Sequence, residues 1–145
     1  MGKLVKNHWA RLVLMTAAAV QVGAAIEGFF WPKIFWDIFT HNLDGAVKPV
    51  PILQIINLLL GLFTLAFEYP LGIFTNLSIH RSIVARLVYI PLSAGTVALL
   101  YQGPDSAGYH IIALAAYFWA YTEGETVCPV PWTLPKKASN GKVVV

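Results

Sequence analysis

Charge is scarce in this chain. Only 12% of its 145 residues are Asp, Glu, Lys or Arg, against 57% hydrophobic. A soluble domain carries about a quarter charged residues, and a small globule has too much surface for so few to cover. Cysteine is nearly absent too. The single Cys128 excludes a disulfide framework, a CxxC redox pair and a cysteine zinc site. The four histidines, His8, His41, His80 and His110, are never three or four residues apart. No helix therefore offers adjacent His ligands, and haems held across a bilayer would need them. Basic residues form no cluster on a polar face, so a nucleic-acid partner is not expected. No Ser/His/Asp set or carboxylate dyad is apparent, which argues against catalysis. No internal repeat is visible either.

What is present is long apolar runs, and with a mean hydropathy of +0.65 they point to an integral membrane protein. A spanning helix takes about 20 mostly apolar residues. Four segments are expected to span, over about 10–30, 52–67, 83–100 and 109–122, followed by a short tail over 123–145. The breakers between them are Pro32, Pro49 and Pro51, then Pro70 and Gly72, then Gly103-Pro104-Asp105. The expected fold is all-α, a single domain and a bundle of four transmembrane helices. Gly23-Ala24-Ala25 has the form of a signal-peptidase site, but the first run is read as a retained span. Pro91 falls inside the third span and predicts a kink.

Lys3, Lys6, Arg11, Arg81, Arg86, Lys136, Lys137 and Lys142 fall on one side of this arrangement, and Lys33 and Lys48 on the other. The positive-inside rule then places both termini in the cytoplasm. The outer connection from Trp31 to Pro51 is rich in aromatics, which predicts an interfacial belt with a short helix over 34–39.

Polar residues inside the runs are patterned. Gln54, Asn57, Gly61, Thr64 and Glu68 are spaced three, four, three and four apart, the stripe of a packed helix seam. Ala17, Gln21, Ala24 and Gly28 share a face of the first span, with Gly23 and Glu27 beside it. These faces are expected to pack together. Glu68 lies at the inner end of the second span, where Arg81 or Arg86 is in reach as a structural ion-pair partner; the competing reading is side chains solvated by headgroups. His110, at the outer start of the fourth span, reads as a capping or interfacial residue.

Three stretches carry a resemblance. The first is Gly61-Leu62-Phe63-Thr64-Leu65-Ala66-Phe67-Glu68-Tyr69-Pro70-Leu71-Gly72. The second is Arg81 followed by Pro91-Leu92-Ser93-Ala94-Gly95. The third runs from Tyr117 to Gly124-Glu125, then Thr126-Val127-Cys128-Pro129. In order and spacing they resemble the cytochrome b light chain, or alpha chain, the small subunit of the NADPH oxidase flavocytochrome b, in a short fungal-type form. Trp9-Ala10 before a Gly/Ala-rich span is a looser match. The resemblance implies a non-catalytic accessory subunit that forms a heterodimer with the catalytic membrane subunit. It would stabilise that partner through maturation in the endoplasmic reticulum and so support superoxide and other reactive oxygen species. The chain itself would bind no cofactor or metal; haem, FAD and the NADPH site belong to the partner. The expected location is the endoplasmic reticulum, the plasma membrane or both. By position the resemblance favours Arg81 over Arg86 as the partner of Glu68.

Departures mark its limits. Pro129, Pro131 and Pro135 form no PxxP, so docking of an SH3-containing organiser by the polyproline mode is not expected. Leu71 to Ile79 lacks the family's basic cluster, and Ala85 stands where the family has a third-span histidine. Two other classes stay open from the residues alone. One is a homo-oligomeric transporter or channel lined by Gln54 and Asn57. The other is a lipid-binding or lipid-modifying protein using Glu27, Glu68 and His110.

Overall fold

The computed structural model describes residues 5–69 and 71–128, leaving aside the side chain of Ile38. The described residues are all-helical, with four long helices and two short ones. Helix α1 spans Lys6–Phe30 and α2 spans Ile52–Glu68. The short helices α3 (Gly72–Thr75) and α4 (Ser78–Arg81) lead into α5 (Ile83–Leu99), and α6 spans Pro104–Thr122. The expected 123–145 tail is described only to Cys128, so Pro129, Pro131, Pro135 and the three tail lysines lie outside the described residues.

Helix boundaries follow local chemistry. Ser82 caps α5 by accepting from the Ala85 N–H at 3.2 Å. Pro104 occupies the first turn of α6, where its missing N–H costs nothing. The fourth apolar run therefore starts five residues earlier than hydropathy alone gives. Helix α5 runs through Pro91 without a break. In the connection between α1 and α2, the segment expected as a short helix over 34–39 is a 3₁₀ turn at Phe35–Ile38. Ile34 is buried instead and forms an isolated antiparallel bridge with Leu100.

The long helices alternate in direction. Gly28 faces Gln54 while Arg11 meets Glu68, so α1 and α2 are antiparallel. Ser106 meets Ala17 and Glu123 meets Lys6, so α6 also opposes α1. Ser93 reaches Gln21 and Arg86 reaches Glu68, so α5 runs alongside α1. Helix α1 packs on α2 and α6, and α6 packs on α5 to the same extent as α1 on α2.

Each long helix buries one stripe with alternating steps of three and four: Arg11, Leu14, Ala18, Gln21, Ala25 and Gly28 on α1; Gln54 to Glu68 on α2; Arg86, Ile90, Ser93 and Val97 on α5; Ser106, His110, Ala113, Tyr117 and Ala120 on α6. That period gives bundle packing at shallow crossing angles. The polarity is inverted relative to a soluble protein. Gln21, Gln54, Asn57, Glu68, Arg86 and His110 are fully buried, while Leu59, Val88, Leu92, Ile111 and Phe118 are each about 60–70% exposed. Helix α1 is long and apolar enough to cross a membrane; α2 and α5 are shorter apolar helices.

Candidate functional site

The charged site lies where α1 starts, α2 ends, α5 starts and α6 ends. Glu68, the last residue of α2, is fully buried and accepts five hydrogen bonds. Its Oε1 takes Arg86 Nε at 2.8 Å and the Tyr89 hydroxyl at 3.2 Å. Its Oε2 takes the Tyr117 hydroxyl at 2.9 Å, with Arg86 Nη2 and Arg11 Nε each at 3.4 Å. One carboxylate thus ties all four long helices together. Arg86 is also held by carbonyls: its Nη1 donates to His80 at 2.6 Å and to Ser82 at 3.1 Å. Its guanidinium lies over the rings of Phe67 and Tyr117, at 4.8 and 5.5 Å from their centroids.

Arg81 is not in this site. It is exposed at the end of α4, and the ion-pair partners of Glu68 are Arg86 and Arg11. The reason is helical phase. Arg86 lies on the buried stripe of α5, four residues before Ile90, whereas Arg81 precedes the helix and lacks that phase. Arg11 is likewise three residues before Leu14 on the buried stripe of α1. That spacing was the signal for Arg11, which reads by charge alone as a residue marking the cytoplasmic side. Tyr117 and Tyr89 had weaker signals, since aromatic residues are common at lipid-facing positions.

Two buried groups at this site remain open. Among the described residues, the Nη1 and Nη2 atoms of Arg11 have no hydrogen-bond partner, and the His80 ring makes no well-aligned hydrogen bond. Burial holds the His80 imidazole below its usual pKa, and the Arg86 and Arg11 guanidiniums push the same way. Glu68 and the Phe67 carbonyl oppose this to a smaller degree.

Above the charged site runs a neutral amide seam. Gln21 donates to Asn57 Oδ1 at 2.9 Å and accepts from the Ser93 hydroxyl at 3.0 Å. Asn57 donates to the carbonyls of Leu53 at 2.9 Å and Thr96 at 3.0 Å. Gln54 donates to the Gly28 carbonyl at 3.2 Å. At Gly61, α1 and α2 approach closely. A Cβ there would lie 2.7 Å from Val22 Cγ2 and 3.2 Å from the Ala18 carbonyl oxygen. Ala24 is buried on α1, and the buried Thr64 lies one turn from Glu68 on α2. The seam therefore contains Gln21, Gln54 and Asn57, with Ala24, Gly28, Gly61 and Thr64 as its close-packed neighbours.

His110 is buried inside α6 rather than at its start, and its Nδ1–H donates to the Ser106 carbonyl at 2.8 Å. Glu27 is exposed at the far end of α1. Glu27, Glu68 and His110 are thus held at separate places and form no common site. A loose group of Asp37, His41 and Asp44 lies in the connection between α1 and α2, with ligand atoms within 4.8 Å of one another and His41 exposed.

A second feature joins the chain's far ends. Helix α6 closes with Gly124 at φ +66°, the Gly124 N–H bonding the Tyr121 carbonyl and the Glu125 N–H bonding the Ala120 carbonyl, each at 3.0 Å. This is a Schellman stop, which favours glycine. It aims Glu125 at the start of α1, where Val5 supplies no cap. The carboxylate accepts from the backbone N–H of Lys6 at 3.2 Å and of Asn7 at 2.9 Å, and from the Asn7 side chain at 2.9 Å. A residue more than 110 positions away thus caps α1 and complements its dipole. Lys6 pairs with Glu123 beside it and lies over the Trp119 ring.

The chain belongs to the family described as domain of unknown function DUF7727, whose model matches residues 1–125. That stretch contains the whole Glu68 site and the Glu125 cap. No curated protein and no solved structure matches the chain.

Proposed function

We propose that this chain is a non-catalytic four-span membrane subunit, with both termini cytoplasmic, that binds and stabilises the catalytic subunit of an NADPH oxidase. In this role it supports the partner's maturation in the endoplasmic reticulum and its production of superoxide there or at the plasma membrane. The observation that carries the reading is where polarity is spent. Inside the bundle, amides, hydroxyls and the Glu68 carboxylate bond across helices, while the outward faces of α5 and α6 are large apolar side chains. Such a body suits lipid and a larger membrane partner. The identity of the partner rests on the resemblance at Gly61–Gly72, Arg81–Gly95 and Tyr117–Pro129.

The test is affinity purification of the full chain from its native membrane in mild detergent. Co-purification of a larger polypeptide with a haem absorption band is the expected result. Deleting the chain should also abolish superoxide formation while the message for the catalytic subunit is unchanged. A homo-oligomer without haem would overturn the reading.

A further inference from the structure

The charged site is unbalanced. It holds two guanidiniums, Arg11 and Arg86, against the single carboxylate of Glu68. Arginine does not lose its proton in a protein, so the cluster carries an excess positive charge while almost wholly buried. The excess is localised. Arg86 has Glu68 and two carbonyls, but Arg11 makes a single 3.4 Å bond through Nε. Its Nη1 and Nη2 are buried without acceptors on a side chain only 2% exposed. The fully buried His80 feels the charge of Arg11, and the Phe67 carbonyl lies against its ring.

Among the described residues, the other carboxylates do not fill the gap. Glu123 engages Lys6, and Glu125 caps α1. Glu27, Asp37, Asp44 and Asp105 belong to the opposite end, and no Asp or Glu follows Glu125 in the sequence. A planar fork of donors with no acceptor matches the paired oxygens of a phosphate group. Helix α1 is about 37 Å long at 1.5 Å per residue and overhangs a hydrocarbon layer of about 30 Å, which brings Arg11 to the headgroup boundary. Trp9 and Leu12 beside it are 43% and 46% exposed.

We infer that the buried Arg11 guanidinium holds a phosphate-type oxyanion at the inner end of the bundle, supplied by a phospholipid headgroup or by free phosphate. Because the Nη atoms are enclosed, the anion is taken up as the bundle closes and is retained afterwards. The level assigned to Arg11 rests on the membrane-spanning reading, but the inference does not depend on an oxidase partner.

The experiment uses the full chain, purified in detergent and exchanged exhaustively into phosphate-free buffer. Bound phosphorus is counted, and intact-complex mass spectrometry gives the mass of what stays bound. About one phosphorus per chain is expected. An added mass of a phospholipid identifies a headgroup, and one of phosphate identifies the free anion. Arg11→Lys keeps the charge but loses the fork and should lose the bound phosphorus, whereas Arg81→Gln, at an exposed arginine of the same end, should keep it. Where Arg11→Lys does not fold, melting of the wild-type chain with added inorganic phosphate, or with phosphatidylglycerol against phosphatidylcholine micelles, replaces it. A rise with phosphate or selectively with phosphatidylglycerol is then expected. Absence of bound phosphorus together with no such rise overturns the inference, as does a folded Arg11→Lys chain that retains phosphorus like the wild type.

Discussion

Two polar regions hold the same bundle together in different ways. At the end of the bundle where α2 stops, Glu68 gathers Arg11, Arg86, Tyr89 and Tyr117 around one charge. In the middle, Gln21, Asn57 and Ser93 form a neutral chain in which each amide both gives and receives. The charged region is all-or-nothing, because removing one partner leaves an ion buried without compensation. The neutral region is graded. On the proposed four-span reading its bonds are those between membrane helices, which average only about 0.6 kcal/mol each because the separated helices find other partners. The lesson is that equal burial does not mean equal fragility.

The sharpest way to break the comparison is Glu68→Ala. It strands two guanidiniums and should cost about 3–5 kcal/mol, read as loss of accumulated folded protein and a collapsed melting temperature. Arg86→Gln should approach that loss, while Arg81→Gln, outside the site, should stay within about 0.5 kcal/mol of wild type. If the two arginine variants behaved alike, the assignment of Arg86 as the principal partner would fail. Gly61→Ala comes next. Its added methyl meets Val22 and the Ala18 carbonyl, so it should cost about 1–3 kcal/mol by forcing α1 and α2 apart; denaturant titration measures it. Smaller again is Gln21→Leu, at about 1–2 kcal/mol, because Asn57 and Ser93 each lose a partner. A cost equal to that of Glu68→Ala would erase the distinction between the regions.

The smallest effect is a dependence on pH. His80 is held neutral, with its folded pKa below 6.5. The unfolded chain therefore binds more protons between that lowered value and 6.5, and stability rises with pH across this window. His80 should favour the fold fully above about pH 7 and lose that contribution as pH falls through and below 6.5. Melting curves of wild type and His80→Gln should converge as the pH is lowered; parallel curves would remove His80 from the balance.

Much of this was legible in the sequence. The three-and-four spacing of Gln54, Asn57, Gly61, Thr64 and Glu68 gives the inward face of α2, because a helix turns 3.6 residues whatever surrounds it. The helical class and the approximate limits of α1, α2 and α5 follow from apolar run length and from Pro and Gly at the breaks. The same periodicity read through Arg11 and Arg86 places both on inward stripes, although charge alone marks them as boundary residues. Tyr117 and Tyr89 were less accessible, because a tyrosine suits a lipid-facing position as well as a buried one.

What the sequence determined by itself is therefore local: which residues turn together into helices, and which face of each is polar. The tertiary structure decided which helix ends meet. Only there does Glu68 choose Arg86 and Arg11 over Arg81, and only there does Glu125 reach back to cap α1 at Lys6 and Asn7. Both choices depend on the relative rotation and height of separate helices. Those are settled by packing over the whole bundle, at places such as Gly61 against Val22, and no spacing along one helix encodes them.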